Sequence, residues 1–245
     1  MLLAVDIGNT NVVFGLYDGD TLAHTFRVST VHTRTEDEYA VLIRELLALR
    51  GLRSDVVDAA IIASVVPPLT DVVADAVRRG CAREPLLIGP GVKTGIPVLY
   101  ENPREVGADR IVNAVAAYDR VHGPVIVVDF GTATTFDCIS PKGEYLGGVI
   151  VPGVRVSLDA LQSGLIFGHA AMVDGMIERL EEEQGYKSEV IATGGLGGLI
   201  AKHARRIDSV DENLTLDGLR ILYARHREPA GERKGGKKAR EPELT

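Results

Sequence analysis

The chain is poor in cysteine, with only Cys81 and Cys138 among 245 residues. Two cysteines lack the number and the spacing of a disulfide framework or a zinc site, so we expect ordinary thiols in packed strands or helices. The six histidines are scattered without metal-ligand spacing, and no Gly-x-Ser-x-Gly sequence occurs. We therefore assign no chemistry to the histidines or to a serine nucleophile.

Long hydrophobic runs are also missing. No run of about 18 apolar residues occurs, and the N-terminus lacks the basic flank and cleavage site of a signal peptide. We expect a cytoplasmic protein with no membrane contact. The hydrophobic fraction of 45% is enough for a sizeable core, in one large domain or two joined lobes.

Positive charge is scarce except at the C-terminus. The formal net charge is −7, although residues 227–245 hold six Lys or Arg against four Glu. Duplex binding needs a clustered basic face, so an acidic body argues against nucleic acid as the principal partner. Residues 228–245 combine charge with Gly and Pro and are predicted to be a disordered charged tail. The alternative for this tail is a weak electrostatic contact with RNA or a membrane.

The order of patterns along the chain is typical of an α/β protein. A three-stranded meander is predicted first, and Thr35 with Glu38 forms a capping-box pattern before a helix. Another helix is predicted late in the chain, from about Met172 to Glu183. The predicted strands lie at 2–5, 12–17, 21–28, 59–65, about 86–88 and 189–192, and further helices lie at about 69–79, after residue 109, and in two segments after 195.

An internal repeat is the most informative feature of this order. The sequence Val-Asp-Ile-Gly at residues 5–8 recurs as Val-Asp-Phe-Gly at 128–131. Each copy ends a predicted strand and is followed by polar residues, a second strand, a glycine turn and a third strand. The repeat predicts two related lobes, residues 1–118 and 119–227, with a cleft between them.

Both copies of the repeat have the chemistry of a phosphate-binding turn. In residues 6–11, Gly8 lets the backbone approach an anion, while Asn9, Thr10 and Asn11 offer neutral donors. Asp6 is placed to hold Mg²⁺, directly or through water. The alternative for one copy alone is an ordinary hairpin turn. Neither copy has the Lys of a Walker loop or the dinucleotide fingerprint, which argues against P-loop enzymes and dehydrogenases.

Asp109 and Arg110 form the third candidate site, because an apolar helical pattern begins at Ile111. We expect Asp109 in the first turn, where the helix dipole favours its ionised form and where it can orient a substrate hydroxyl for phosphoryl transfer. Arg110 is suited to a phosphate or carboxylate. The alternative role of Asp109 is stabilisation of the helix end. The glycine-rich segment 194–198 suggests a surface for a base or ribose only weakly, since a turn without ligand explains it equally well.

Several segments together resemble type III pantothenate kinases: residues 6–11, 64–67, 100–110, 129–135, 147–153, 161–164, 174–175 and 193–196. The resemblance runs from residue 1 to about 227. It implies a duplicated ribonuclease H-like (actin-like ATPase) fold and a homodimer. It also implies ATP-dependent phosphorylation of the hydroxyl of pantothenate, the first step of coenzyme A synthesis.

The resemblance assigns roles to individual residues. Asp109 becomes the proton acceptor, and Asp129 binds the monovalent cation, K⁺ or NH₄⁺, that this family needs besides Mg²⁺. Pantothenate contacts are implied for Tyr100, Gly107, Ala108, Asp109 and Arg110. ATP contacts are implied for Asp6, Ile7, Gly8, Asn9, Thr10, Asn11, Val12, Val13 and Thr132.

The sequence departs from the family between about Leu158 and Gln162, where a helix and a long loop of several tens of residues are expected. In the family this segment carries an Asn-Thr pair whose threonine reaches the partner subunit's pantothenate site, and it contributes to the dimer. A shortened enzyme is the main hypothesis. The alternatives are a catalytically impaired nucleotide-binding regulator and another small-molecule kinase or phosphohydrolase of the superfamily.

Overall fold

The structure, a computed structural model, describes residues 1–89, 92–100, 102–103, 106–153 and 162–227. The junction between Leu158 and Gln162 and the tail at 228–245 lie outside the described residues. In the described part, no helix combines the length and apolar character needed to cross a membrane.

The first lobe is a five-stranded sheet with two helices on its outer face. Its strands are β1 (Leu2–Ile7), β2 (Asn11–Asp18), β3 (Thr21–Ser29), β4 (Ala59–Ser64) and β5 (Pro85–Leu87), and its outer helices are α1 (Glu36–Ala48) and α2 (Pro67–Cys81), with a 3₁₀ turn at Ser54–Val56. The strands run in the order β3-β2-β1-β4-β5. The first three are antiparallel, whereas β4 and β5 continue parallel to β1. Thr35 and Glu38 form the expected capping box at the start of α1. Helix α3 (Ala108–Val121) follows β5 and completes the first repeat.

The second lobe repeats this topology. Its elements are β6 (Val125–Phe130), β7 (Ala133–Ile139), β8 (Tyr145–Pro152), α4 (Gln162–Gln184), β9 (Glu189–Thr193), α5 (Gly197–Ile200), β10 (Ser209–Val210) and α6 (Leu214–Arg227). The strand order is β10-β9-β6-β7-β8, so β6, β7 and β8 correspond to β1, β2 and β3, and β9 and β10 to β4 and β5. The duplication that the repeat predicts is therefore confirmed in the topology.

Helices α3 and α6 pack against each other between the two sheets. Their apolar faces share one core with β1, β4, β6 and β7, whereas the outer face of each sheet has a core of its own. Helix α6 belongs to the second half of the chain, but the strands that it contacts most, β1 and β4, belong to the first sheet. The central helices therefore join the lobes, and they place α3, with Asp109 near its start, beside the cleft.

One predicted helix was wrong in its start, and one strand was missed. Helix α4 begins at Gln162 and not near Met172. Its first turns contain Gly164 and Gly168, which lower helix propensity and obscure the apolar pattern. Strand β10 was not predicted, because two residues are too few to show alternation. The thiols are as expected, since Cys81 in α2 and Cys138 in β7 are free and buried.

Candidate active site

A cleft of about 370 Å³ opens where the carboxyl ends of β1 and β6 face each other. Both aspartates of the internal repeat, Asp6 and Asp129, lie in it because each stands at the next-to-last position of its strand. The cleft is lined by Asp6, Gly8, Asn9, Thr10, Asn11, Val13, Arg27, Val65, Asp109, Asp129, Phe130, Gly131, Thr132, Ala133, Thr135, Thr193, Gly194, Gly195, Leu196, Glu212, Thr215 and Leu216.

The two glycine turns meet across this cleft. The Gly8 amide donates to the Asn11 carbonyl at 3.0 Å, and the Thr30 hydroxyl donates to the Gly8 carbonyl at 2.6 Å. The hydroxyls of Thr10 and Thr132, one from each lobe, are hydrogen-bonded to each other at 2.8 Å. Two turns with neutral donors therefore stand opposite each other, an arrangement that can hold a polyphosphate from both sides.

Asp129 is held by neighbours that are distant in sequence. The buried Asn113 amide donates to Asp129 Oδ2 at 3.3 Å and accepts a hydrogen bond from the Thr215 hydroxyl at 2.7 Å. Gly194 has a φ of +84°, and a Cβ atom there would lie 2.5 Å from Asp129 Oδ1. The turn after β9 therefore needs glycine, both for its backbone conformation and for space beside the carboxylate.

The acidic side chains of the cleft raise one another's pKa. Burial raises the pKa of Asp6 to about 8, helped by the negative charges of Asp109 and Asp129 and opposed by Arg27. Burial also raises the pKa of Asp129 to about 7, with Asp109 and Asp137 adding to the rise. The cleft therefore contains more acidic than basic side chains, and this imbalance favours the protonated form of each carboxyl.

The sequence-based expectation for the ionisation of Asp109 needs a correction. Asp109 does lie in the first turn of α3, and its carboxylate accepts a hydrogen bond from the Arg110 amide at 2.8 Å. Nevertheless its pKa is raised, because burial outweighs that hydrogen bond and the nearby positive charge of Arg110. The helix terminus alone does not keep this carboxylate ionised. Gly107 leaves room for it, since a Cβ atom there would lie 2.5 Å from Asp109 Oδ1.

Arg110 is bound to a buried carboxylate outside the cleft lining. Its Nε donates to the fully buried Asp137 at 2.5 Å, and the Tyr145 hydroxyl donates to the same carboxylate oxygen at 2.6 Å. The pKa of Asp137 rises to about 6 because burial outweighs these two partners. The guanidinium is thereby fixed in orientation while 15% of the side chain stays exposed.

Some residues implied by the resemblance lie outside the cleft lining. Ile7 and Val12 are fully buried in the outer core of the first lobe, so only their backbone is available to a ligand. Tyr100 is 42% exposed, and its ring lies over Gly147. Gly107, Ala108 and Arg110 adjoin Asp109 but do not line the cleft.

Sequence reasoning missed four residues that line the cleft, Arg27, Glu212, Thr215 and Leu216, and one that supports it, Asn113. One signal was available for Asn113, because it stands four residues after Asp109 and therefore on the same helix face. The contacts of Arg27 and Thr215 depend on packing between distant segments, which no local pattern reveals. The 194–195 turn, only a weak candidate from sequence, does line the cleft.

The carboxylates of Asp6 and Asp129 fit a hard cation, since oxygen donors with unbalanced charge line one cleft. Within the described ranges, however, no three His, Cys, Asp or Glu side chains form a group ready to hold a metal ion. A cation in this cleft would therefore need water or ligand oxygens in addition to the protein.

Comparison with known proteins identifies the family. The family model described as "Type III pantothenate kinase" matches residues 2–163. A relative of that name from Anaeromyxobacter sp. (strain Fw109-5) is 50% identical, over 93% of this chain and 100% of the relative. The chain belongs to the type III pantothenate kinase family. Another member, from Myxococcus xanthus, is 49% identical over 92% of this chain and 99% of its own length.

The chain lacks residues that its family relatives possess. The alignment with the Anaeromyxobacter pantothenate kinase runs over 254 residues and takes 93% of this chain. Since 93% of 245 residues is about 228, about 26 alignment positions have no counterpart here. A shortening relative to the family is thus supported, although the place of the gap rests on the sequence interpretation.

Solved structures with a similar fold include sugar kinases. An inorganic polyphosphate/ATP-glucomannokinase from Arthrobacter sp. strain KM matches with a TM-score of 0.53 and 16% identity, covering 92% of this chain and 98% of that one. A ROK family glucokinase from Streptomyces griseus matches with a TM-score of 0.50 and 14% identity, covering 90% and 98%. These likenesses concern the fold alone, and with the repeated topology they give the duplicated ribonuclease H-like architecture expected from sequence.

Proposed function

We propose that this chain transfers the γ-phosphate of ATP to the hydroxyl of pantothenate, which begins coenzyme A synthesis. The observation that carries the proposal is 50% identity, over 93% of the chain, to a relative named type III pantothenate kinase. The cleft is consistent with this reaction, because phosphoryl transfer needs positioning and charge stabilisation more than covalent chemistry.

In this proposal the two glycine turns hold the phosphates of ATP. Backbone amides and the Thr10 and Thr132 hydroxyls supply donors from both lobes, and their mutual hydrogen bond of 2.8 Å supports a shared ligand. The proposed ATP site consists of residues 6–13 and Thr132. Ile7 and Val12 would take part through their backbone only, because their side chains are buried in the core.

Asp109 is the proposed proton acceptor for the pantothenate hydroxyl. Its raised pKa means that the carboxylate binds a proton more readily than an exposed aspartate does, which suits a group that accepts one during turnover. Asp109 lines the same cleft as Asp6, Asp129 and the two phosphate-binding turns. The hydroxyl would thus lie between Asp109 and the γ-phosphate.

The proposed pantothenate site lies beside Asp109. Arg110 is suited to the carboxylate of pantothenate, since a guanidinium has five N–H donors and, within the described residues, only two of them donate, to Asp137 and Phe136. Tyr100, Gly107 and Ala108 complete the residues proposed for this site. The ring of Tyr100 over Gly147 would provide an apolar wall for the alkyl chain.

Two kinds of cation belong to the proposal. Asp6 would hold Mg²⁺, directly or through water, and Asp129 would hold K⁺ or NH₄⁺. Cations there would offset the phosphate charge and the mutual repulsion of the cleft carboxylates. Asn113 would fix the orientation of Asp129 through its amide.

A homodimer is part of the proposal through the family resemblance. Two large apolar side chains of the second lobe, Phe167 and Ile150, are each 61% exposed, and contact with a second copy would cover such groups. In the family, a threonine reaches the partner subunit's pantothenate site, and we assign that role to no residue of this chain. Light scattering tests the dimer. The cytoplasmic location stays a prediction from the sequence.

The shortening favours one second candidate, a nucleotide-binding regulator on the same fold. About 26 missing positions can remove part of the pantothenate site while leaving both phosphate turns in place. This candidate binds ATP without phosphorylating pantothenate.

The test is a kinase assay with the purified chain, ATP, Mg²⁺ and pantothenate, with K⁺, NH₄⁺ or neither. Mass spectrometry detects phosphopantothenate, and glucose serves as the alternative acceptor. Formation of phosphopantothenate only with a monovalent cation is expected. ATP binding with no product from pantothenate would favour the regulator, and product from glucose alone would make the chain a sugar kinase.

A further inference from the structure

Arg27 is the only basic side chain among the residues that line the described cleft, where it faces four acidic ones, Asp6, Asp109, Asp129 and Glu212. It is exposed on the edge strand β3. It forms no hydrogen bond or ion pair within the described residues. An unpaired guanidinium in an acidic cleft is available for an anionic ligand.

Strand register directs Arg27 into the cleft. Asp6 on β1 is opposite Val13 on β2, and Val13 is opposite Arg27 on β3. Directly opposed residues in neighbouring strands point to the same face of a sheet, so the three side chains form one row. The positive charge of Arg27 acts on Asp6 along this row. An Nη atom of Arg27 also lies 3.5 Å from the Cβ position of Gly195 in the second lobe, so the side chain spans the cleft.

The second lobe shows that the fold does not require a charge at this place. Its equivalent row is Asp129, Thr135 and Ile150, in the same order on β6, β7 and β8. The duplicated sheet thus forms equally well with isoleucine where the first lobe has arginine. Formation of the sheet therefore does not explain the arginine at position 27.

We infer that Arg27 binds the polyphosphate of the nucleotide, closing the phosphate site from the first lobe toward the turn at Gly194 and Gly195. This inference rests on the proposed function and adds a phosphate-binding residue to it. A planar guanidinium with several donors matches phosphate oxygens, and it supplies the positive charge that the two neutral turns lack. Arg27 thereby favours nucleotides with more phosphate groups.

The test measures affinity of the wild-type chain, Arg27→Gln and Arg27→Lys for ATP, ADP, AMP and adenosine by calorimetry. For Arg27→Gln, ATP affinity should fall about 10- to 100-fold, the range expected when a hydrogen bond to a charged group is lost. The loss should be smaller for ADP and absent for adenosine. Arg27→Lys should recover part of the ATP affinity, because it keeps the charge but not the fork.

Arg44→Gln is the matched control, since Arg44 is exposed on α1 and does not line the cleft. It should bind all four ligands as the wild type does, and circular dichroism checks that each variant is folded. Unchanged ATP affinity in Arg27→Gln would overturn the inference. An equal loss for adenosine and ATP would also overturn it, because Arg27 would then shape the cleft and not contact phosphate.

The kinase assay is separate from this test. A wild-type chain that binds ATP in the expected phosphate-dependent way but leaves pantothenate unmodified contradicts the proposed function and supports the role of Arg27. A chain that binds none of the four ligands contradicts both.

Discussion

Replacing Asp109 by asparagine should separate activity from stability. The variant keeps the size of the side chain and an oxygen that can accept the Arg110 amide hydrogen bond, which measures 2.8 Å in the native chain. It loses the ability to accept a proton from the substrate. General acid–base groups contribute about 10²- to 10⁴-fold to turnover, and we expect kcat to fall within that range with little change in ATP affinity.

The stability of Asp109→Asn should stay the same or rise at pH 8. The charge of Asp109 raises the pKa of both Asp6 and Asp129, so a neutral side chain relieves repulsion among buried carboxylates. Relief of buried charge repulsion on the order of 1 kcal/mol raises Tm by roughly 2–4 °C for a chain of this size.

The assay combines steady-state kinetics with thermal unfolding at pH 8 and pH 5, where fewer carboxylates are charged and the gain should be smaller. Asp119→Asn is the control on the same helix, because Asp119 pairs with Arg225 at the surface and does not line the cleft. It should leave kcat unchanged. Near-native kcat in Asp109→Asn would refute the assignment of Asp109 as proton acceptor, and a large loss of stability would refute the electrostatic reasoning.

Three further predictions concern the same cleft. Asp129→Ala should abolish the response of the kinase reaction to K⁺ or NH₄⁺, and an unchanged response would place the ion elsewhere. Gly194→Ala should lower the free energy of unfolding in urea by more than about 2 kcal/mol, since a Cβ atom would meet Asp129 Oδ1 at 2.5 Å in addition to the cost of a positive φ. Gly185→Ala, with a φ of +79° and open space, should cost only the backbone part, so equal losses would contradict the steric argument. Without ligands, stability should fall as the pH rises from 5 to 8. The raised pKa values of Asp6 and Asp129 make the folded chain hold protons that the unfolded chain has released. The fall is up to about 1.4 kcal/mol per pH unit for one carboxyl. Asp129→Asn should flatten this slope, which urea titrations at several pH values measure.

Much of the fold could be predicted because the signals are local and occur twice. The Asp-x-Gly sequences at Asp6 and Asp129 stand at the ends of buried strands, and each is recognised from a few consecutive residues. The Thr35 capping box likewise needs only residues 35–38. Helix α4 was harder, since Gly164 and Gly168 interrupt the apolar pattern although the chain there is helical.

The electrostatics of the site could not be predicted in the same way. The first-turn position of Asp109 suggested a carboxylate kept ionised by the helix, yet its pKa is raised. The reason is burial in a cleft with other carboxylates, Asp6 and Asp129, that come from distant parts of the chain. A local pattern contains the dipole of one helix but not the solvent exclusion that two lobes create together.

The sequence by itself determined the duplication, the two phosphate turns and the membership in the pantothenate kinase family. These depend on short motifs, which specify backbone turns through glycine and neighbouring polar residues. Only the tertiary structure decided that Thr10 meets Thr132, that Asn113 orients Asp129 and that Arg27 is the single cation lining the described cleft. Each of these contacts joins segments far apart in sequence, so it exists only once the central helices have packed the two sheets around one core.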